Sequence, residues 1–180
     1  ALAARCALWP VGEWSLAELG GAQVGFRPWQ LVSYAFLHGS PMHLFLNMFA
    51  LWMFGRDVES ALGARRYVVL YLAAVLAAAG AQLVVATLSG VPYPTVGASG
   101  GVFGLLLAFA MLFPRRRVLL LLPPVPMPAW LFVALYGIVE LANGVLGTRA
   151  GVAHFAHLGG MLGALAAMLA WRGRPPAHPR

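Results

Sequence analysis

The chain has 180 residues, 61% hydrophobic and only 9% charged, and its net charge of +7 comes with arginine as the sole strong base. About a quarter of an average soluble domain is charged, so this composition excludes a soluble globular protein and assigns the chain to the lipid bilayer. The single cysteine, Cys6, excludes an internal disulfide and any cysteine-based metal cluster.

The opening Ala1-Leu2-Ala3-Ala4 has the composition of the end of an apolar helix, and the sequence is expected to be part of a longer protein. Residues 1–40 hold Trp9, Trp14 and Trp29 among glycines and scattered charge, which suits a loop at the membrane interface, where indole rings settle. Five apolar runs follow, predicted as spans from their length and hydropathy. They are Pro41–Phe54, extending back toward Trp29, then Tyr67–Leu88, Ser99–Phe113, Ala129–Leu146 and Val152–Trp171. The expected fold is therefore an all-α polytopic helix bundle, one domain with its helical core over 41–172 and a tail over 173–180. Ser40 can cap the first span and Pro41 suits its first turn. The third run is short for a full span and is expected to begin inside the bilayer.

Arginine marks one side of this arrangement. Arg56, Arg65 and Arg66 follow span one, Arg115–Arg117 follow span three, and Arg172, Arg174 and Arg180 follow span five. Arg5, Arg27 and Arg149 fall on the other side. Nine against three is a positive-inside bias. It predicts a cytoplasmic C-terminus, an outer-facing Ser99 and basic clusters that set topology rather than bind nucleic acid. An arginine-only, Ala- and Gly-rich chain fits a bacterial protein, and the expected location is a bacterial plasma membrane.

Polar side chains inside spans are costly and are functional candidates by default. His43 and Asn47 share one face of span one. Asp57 and Glu59 are expected to pair locally with the arginines beside them. Gln82 is expected to be a packing contact in span two. Tyr136, Glu140 and Asn143 lie along one side of span four, with Glu140 turned to the interior or to water and suited to a protonated state. His154 and His157 open span five. Pro123-Pro124-Val125-Pro126-Met127-Pro128 forms a stiff connector that cannot be helical throughout.

Ser99 stands among Gly97, Gly100, Gly101 and Gly104. Small residues of this kind let helices pack closely with a serine as hydrogen-bond glue, and Gly101 and Gly104 are expected to seat span three against span five. A different reading follows from the topology, which brings His43, Ser99, His154 and His157 to one depth. A serine, a histidine on another helix and spare donors are the parts for acyl transfer. The imidazole takes the hydroxyl proton, and preorganised N–H groups receive the oxyanion. Asn47, His43 and the backbone N–H of Ser99 could serve as those donors, while Gly97 and Gly100 keep the approach to Ser99 open.

These residues resemble the motifs of the rhomboid intramembrane serine proteases. His43-Leu44-Phe45-Leu46-Asn47 is similar to the family's His-x-x-x-Asn, Gly97-Ala98-Ser99-Gly100 to its Gly-x-Ser-Gly, and Ala156-His157-Leu158-Gly159-Gly160 to its Ala-His-x-x-Gly. The similarity covers about Phe26 to Trp171. It implies a Ser99–His157 dyad, an oxyanion site of His43, Asn47 and the Ser99 amide, and Phe103 stacked on the histidine. It also implies that Asn143–Gly151 resembles the cap over such sites. Ala156 and Gly160 select His157 over His154 as the base, leaving His154 a capping or gating position and His38 an anchor of the loop. Such a dyad works without a carboxylate; Glu140 on the neighbouring helix could support His157, but a charged carboxylate in the bilayer is costly, so the dyad is expected to act without it. Two departures stand out. The family core has six spans, so the first would lie before residue 1. Trp29-Gln30 stands where many relatives have Trp-Arg, which is expected to weaken an anchor to lipid or backbone.

The resemblance implies an endopeptidase without cofactor or metal. It would cut single-pass membrane proteins in or near their spans, in contact with lipid and not with nucleic acid. Two readings compete. A rhomboid-like pseudoenzyme would bind membrane proteins without cleaving them, but such relatives usually lack the serine or the histidine. A metal or small-solute carrier would use His38, His43, His154, His157 and Glu140, but a transporter is expected to show repeated halves, and none is visible.

Overall fold

A computed structural model of the chain describes residues 2–16, 21–90, 93–119, 125–147 and 153–172. The expected tail over 173–180, Pro92, the Pro123–Pro124 pair, the Thr148–Gly151 part of the expected cap and Val152 lie outside the described residues.

Helix α3 (Pro41–Leu62) starts where the sequence predicts. The Ser40 hydroxyl accepts from the His43 backbone N–H at 3.1 Å, and Pro41 fills the first turn, where a missing N–H costs nothing. It does not extend back toward Trp29. Leu37 is extended, and before it stand α2 (Gln30–Ser33) and a 3-10 turn, Tyr34–Phe36. Nor does it stop at Phe54. Polar Arg56, Asp57 and Glu59 continue the helix until Gly63, whose φ of +79° ends it and leads into α4 (Ala64–Ser89). Then come α5 (Ser99–Leu112), α6 (Ala129–Leu146) and α7 (His154–Ala170). The fold is the expected all-α membrane bundle.

The connections hold short strands that hydropathy does not reveal. A short helix α1 (Leu2–Cys6) precedes an antiparallel pair, β1 (Glu13–Leu16) with β2 (Ala22–Gly25), in register Trp14 to Val24. A second pair, β3 (Arg117–Leu119) with β4 (Pro126–Pro128), closes the proline-rich connector. Gln30 organises the first loop and is 1% exposed. Its Oε1 accepts from the N–H groups of Trp9 and Arg27 at 3.3 and 3.1 Å, and its Nε2 donates to the carbonyls of Arg5 and Gly25 at 3.2 and 3.3 Å. The expected weakening is therefore corrected. A neutral amide, which both donates and accepts, ties four backbone groups together.

The packing runs inside out relative to a soluble protein. Phe45, Phe49 and Trp52 form an exposed aromatic run on α3, and Val69, Leu72, Leu76, Ile138, Val139 and Leu141 are exposed on α4 and α6. Apolar area this extensive fits a hydrocarbon solvent. Helices α4 and α6 are long and apolar enough to cross a membrane by length and composition; α5 and α7 are shorter apolar helices. With 14 residues α5 is about 21 Å long, less than the roughly 30 Å hydrocarbon core.

Small residues dominate where α4, α5 and α7 meet. A Cβ on Gly160 would collide with the Gly100 carbonyl oxygen, and one on Gly104 would lie 3.0 Å from the Gly160 carbonyl oxygen and 3.2 Å from Ala164 Cβ. Gly159 and Gly163 abut Ala73, Ala77 and Ala81 of α4. The expectation for Gly101 is corrected, because it faces Tyr71 and Val75 of α4, while Gly100 and Gly104 meet α7.

The basic connectors gather at one end. Arg116, after α5, pairs with Asp57 of α3 at 2.9 Å, and the Arg66 guanidinium lies over the Trp171 ring. Asp57 thus takes its partner from another connection rather than from the adjacent arginines.

Candidate functional site

At the opposite end, Ser99 is the first residue of α5, so its backbone N–H is one of the unsatisfied donors of a helix start. The segment before it is held from two sides. The Gly97 N–H donates to the Tyr34 carbonyl at 3.0 Å, and the Tyr34 hydroxyl donates to the Val75 carbonyl on α4 at 2.8 Å. Gln82 donates to the Tyr93 hydroxyl at 2.6 Å, so it fastens this segment rather than serving as a plain packing contact. Gly97 has φ +124°, a backbone that side chains disfavour, and a Cβ there would stand 2.8 Å from His43 Cε1.

The structure brings Ser99 and His157 together, with Nε2 of His157 2.8 Å from the Ser99 Oγ. Phe103, one turn after Ser99, stacks on the imidazole at 4.2 Å between centroids and 5° between planes. His43 and Asn47 line the same cavity of about 530 Å³, together with Ser99, Phe103, Tyr136 and His157. The Gly39 N–H donates to His43 Nδ1 at 3.4 Å, which places the ring proton on Nε2, on the side of the ring facing Gly97. The Asn47 amide donates to the His43 carbonyl at 2.9 Å and keeps its second N–H. Gly100 differs from its expected part. It faces Ala78 and Gly160, so its small size serves the helix crossing and not the approach to Ser99. The expected cap begins late, because Asn143–Leu146 form the last turn of α6 and Gly147 ends it in the left-handed region.

His38 is more than an anchor. Its ring stands edge-on to His43 at 5.1 Å. Burial first, and the neighbouring His43 second, hold its pKa below the ordinary histidine value, against a backbone hydrogen bond with Phe36 that acts the other way.

One group at the site runs against expectation. Glu140 of α6 is 7% exposed, and its Oε2 lies 2.8 Å from His157 Nδ1 and 2.7 Å from His154 Nδ1. The sequence signal for it is an acidic residue within a span, on a face shared with Tyr136 and Asn143 and expected to turn to the interior. These three residues are also a possible donor set for a metal. The separations argue for shared protons instead. Two ligands on a tetrahedral zinc, each at about 2.0–2.2 Å, stand roughly 3.3 Å apart, and hydrogen-bonded N and O are closer, as here.

The sequence matches the family model described as Rhomboid domain over residues 17–173. It is 36% identical over 138 residues to "Rhomboid protein 1, mitochondrial" of Saccharomyces cerevisiae, covering 75% of this chain and 40% of that protein. It is 32% identical over 133 residues to "Presenilin-associated rhomboid-like protein A, mitochondrial" of Danio rerio, covering 73% and 34%. With "Rhomboid protease GluP" of Bacillus subtilis it shares 38% identity over 93 residues, 51% of this chain and 17% of that one. The chain thus spans less than half the length of each of these relatives. On the strength of the family match over most of its length, this membrane helix bundle belongs to the rhomboid family.

Proposed function

We propose that the protein is an intramembrane serine endopeptidase that hydrolyses peptide bonds in or near the spans of single-pass membrane proteins. The observation that carries this reading is the 2.8 Å approach of His157 Nε2 to the Ser99 hydroxyl inside a cavity lined with further donors.

His157 takes the Ser99 proton as Oγ bonds to the scissile carbonyl carbon, then returns that proton to the leaving amine. Water hydrolyses the acyl-enzyme by the same path in reverse. His43 Nε2–H, the free Asn47 N–H and the Ser99 backbone N–H receive the oxyanion, in a setting where fixed donors act most strongly. The Phe103 stack limits rotation of the imidazole. A helical substrate carbonyl is already hydrogen-bonded, so the substrate must unwind locally, which favours glycine and alanine near the cut. The arginine asymmetry supports a cytoplasmic C-terminus and an outward-opening site in a bacterial plasma membrane. A bacterial protease stands among the relatives, and two mitochondrial proteins stand beside it.

The test is cleavage of a single-pass substrate by the full natural chain in liposomes, with and without chelator. Ser99→Ala and His157→Ala are expected to abolish cleavage, and chelator is expected to leave it unchanged. Cleavage that survives in Ser99→Ala, or that chelator stops, overturns the mechanism. A parent protein that binds the substrate without cutting it establishes the pseudoenzyme instead.

A further inference from the structure

We propose that Glu140 is a positioning residue for His157, and that His154 holds Glu140 in place, so that the site works as Ser99–His157–Glu140 braced by a second histidine. This rests on the proposed roles of Ser99 and His157.

The argument starts from one oxygen. Oε2 of Glu140 meets two ring nitrogens, Nδ1 of His154 at 2.7 Å and Nδ1 of His157 at 2.8 Å. A carboxylate oxygen accepts two hydrogen bonds, and separations of 2.7 and 2.8 Å are those of charge-assisted bonds. Against the expectation of a protonated Glu140, the geometry fits a carboxylate that accepts an N–H from each ring. Such a carboxylate is costly to bury without donors. Among the described residues its ion-pair partners are both histidines, and the arginine-rich connectors lie at the other end of the bundle.

The consequence falls on His157. With its Nδ1 proton given to Glu140, the lone pair sits on Nε2, the atom facing Ser99 Oγ. That is the tautomer able to take the hydroxyl proton; the other one would point an N–H at the serine. During attack the Ser99 proton moves to Nε2, Oγ bonds to the carbonyl carbon, and the imidazolium stands opposite the carboxylate. Glu140 itself takes no proton. The charge partner is thus strengthened in the state formed during reaction, not in the resting one. His154 is placed for the bracing part by the helix period. It lies three residues before His157, close to one turn, so both Nδ1 atoms reach the same oxygen. Its Nε2 is buried without a hydrogen-bond partner among the described residues. A neutral ring donating from Nδ1 leaves only a lone pair there, the milder of the two deficits.

The experiment uses the full chain in liposomes and reads kcat, KM, the rate of Ser99 labelling by a fluorophosphonate probe, and thermal melting. Glu140→Gln keeps the shape and removes the charge. Its kcat and labelling rate are expected to fall by at least about tenfold, with KM within about twofold. Glu140→Asp, which restores the charge at shorter reach, is expected to recover part of that loss. His154→Ala is expected to slow labelling by several-fold, and it keeps the test open should Glu140→Gln not fold. Folded Glu140→Gln with parent-like kcat and labelling overturns the proposal, as do Gln and Asp variants that lose activity equally. If Glu140→Gln does not fold, parent-like labelling in His154→Ala overturns it. In each case Ser99→Ala still separates the failures. If that variant is inactive the protease reading stands without Glu140, and if it cleaves, both readings fall.

Discussion

Helices α5 and α6 are both strongly apolar, yet they settle into the bundle in different ways. Ten of the 14 residues of α5 are buried, against three of 18 in α6, namely Ala129, Val133 and Glu140. The difference lies in side-chain size at the contacts. On α5 the glycines at 100 and 104 let the α7 backbone come close, and Ala74 and Ala78 of α4, with Tyr71 and Val75 against Gly101, fill the remaining side. Where α6 approaches α7, larger groups intervene, with Met161 against Gly137 and Phe155 against Gly144. In a bilayer, helices associate through such packing and not through escape from water, so backbone contact makes α5–α7 the stiffer pair. The Ser99–His157 distance is set on that stiff pair, while Glu140 reaches the imidazole from the more lightly packed helix.

Substitutions that disturb one partner of this comparison and spare the other can break it. The largest effect is expected for Gly160→Val, whose side chain would be driven into the Gly100 carbonyl. Overpacking of this kind costs about 1–3 kcal/mol or more, and it separates α5 from α7. Melting temperature should fall clearly and cleavage should vanish, and retention of both would show that the close crossing is dispensable. Gly97→Ala comes next. Its φ of +124° strains any side chain, at roughly 1–3 kcal/mol, and the new methyl would press on His43. Cleavage is expected to drop by about tenfold or more, since about 1.4 kcal/mol of transition-state stabilisation is worth tenfold, with a smaller change in melting. The smallest effect is expected for Ile138→Ala on the exposed face of α6, where the side chain is 63% exposed. Stability should change by no more than about 0.5 kcal/mol and cleavage should be unaltered. A large loss there would show that α6 is packed as critically as α5.

Part of the site is legible in the residues alone because its information is local. Ser40 caps α3 through its own third neighbour, and His43 and Asn47 share a face by helical period. The Phe103 stack follows from its place one turn after Ser99, once His157 is opposite. The misreadings share a different cause. Helical period tells which residues lie on one face, but not which neighbouring helix that face meets. The sequence reading puts Gly100 on the substrate side, whereas it faces Ala78 and Gly160; it puts Gly101 against α7, whereas Gly101 faces α4. Comparison with arginine undervalues Gln30, because its four partners come from positions 5, 9, 25 and 27 and meet it only when the loop is folded. The two strand pairs were hidden for the same reason, as three- and four-residue strands carry too little alternation to register.

By itself the sequence determined the solvent and the inventory. An apolar chain this poor in charge must live in lipid, and its arginines sort to connectors because burying them in hydrocarbon is costly. It also placed a serine, two histidines and a glutamate on three separate helices. Tertiary structure alone decided that one Glu140 oxygen meets both histidines while His157 turns its other nitrogen to Ser99. That convergence depends on the rotation of α6 about its own axis and on how closely small residues let α5 and α7 approach. Both are set by packing among helices rather than by any one of them.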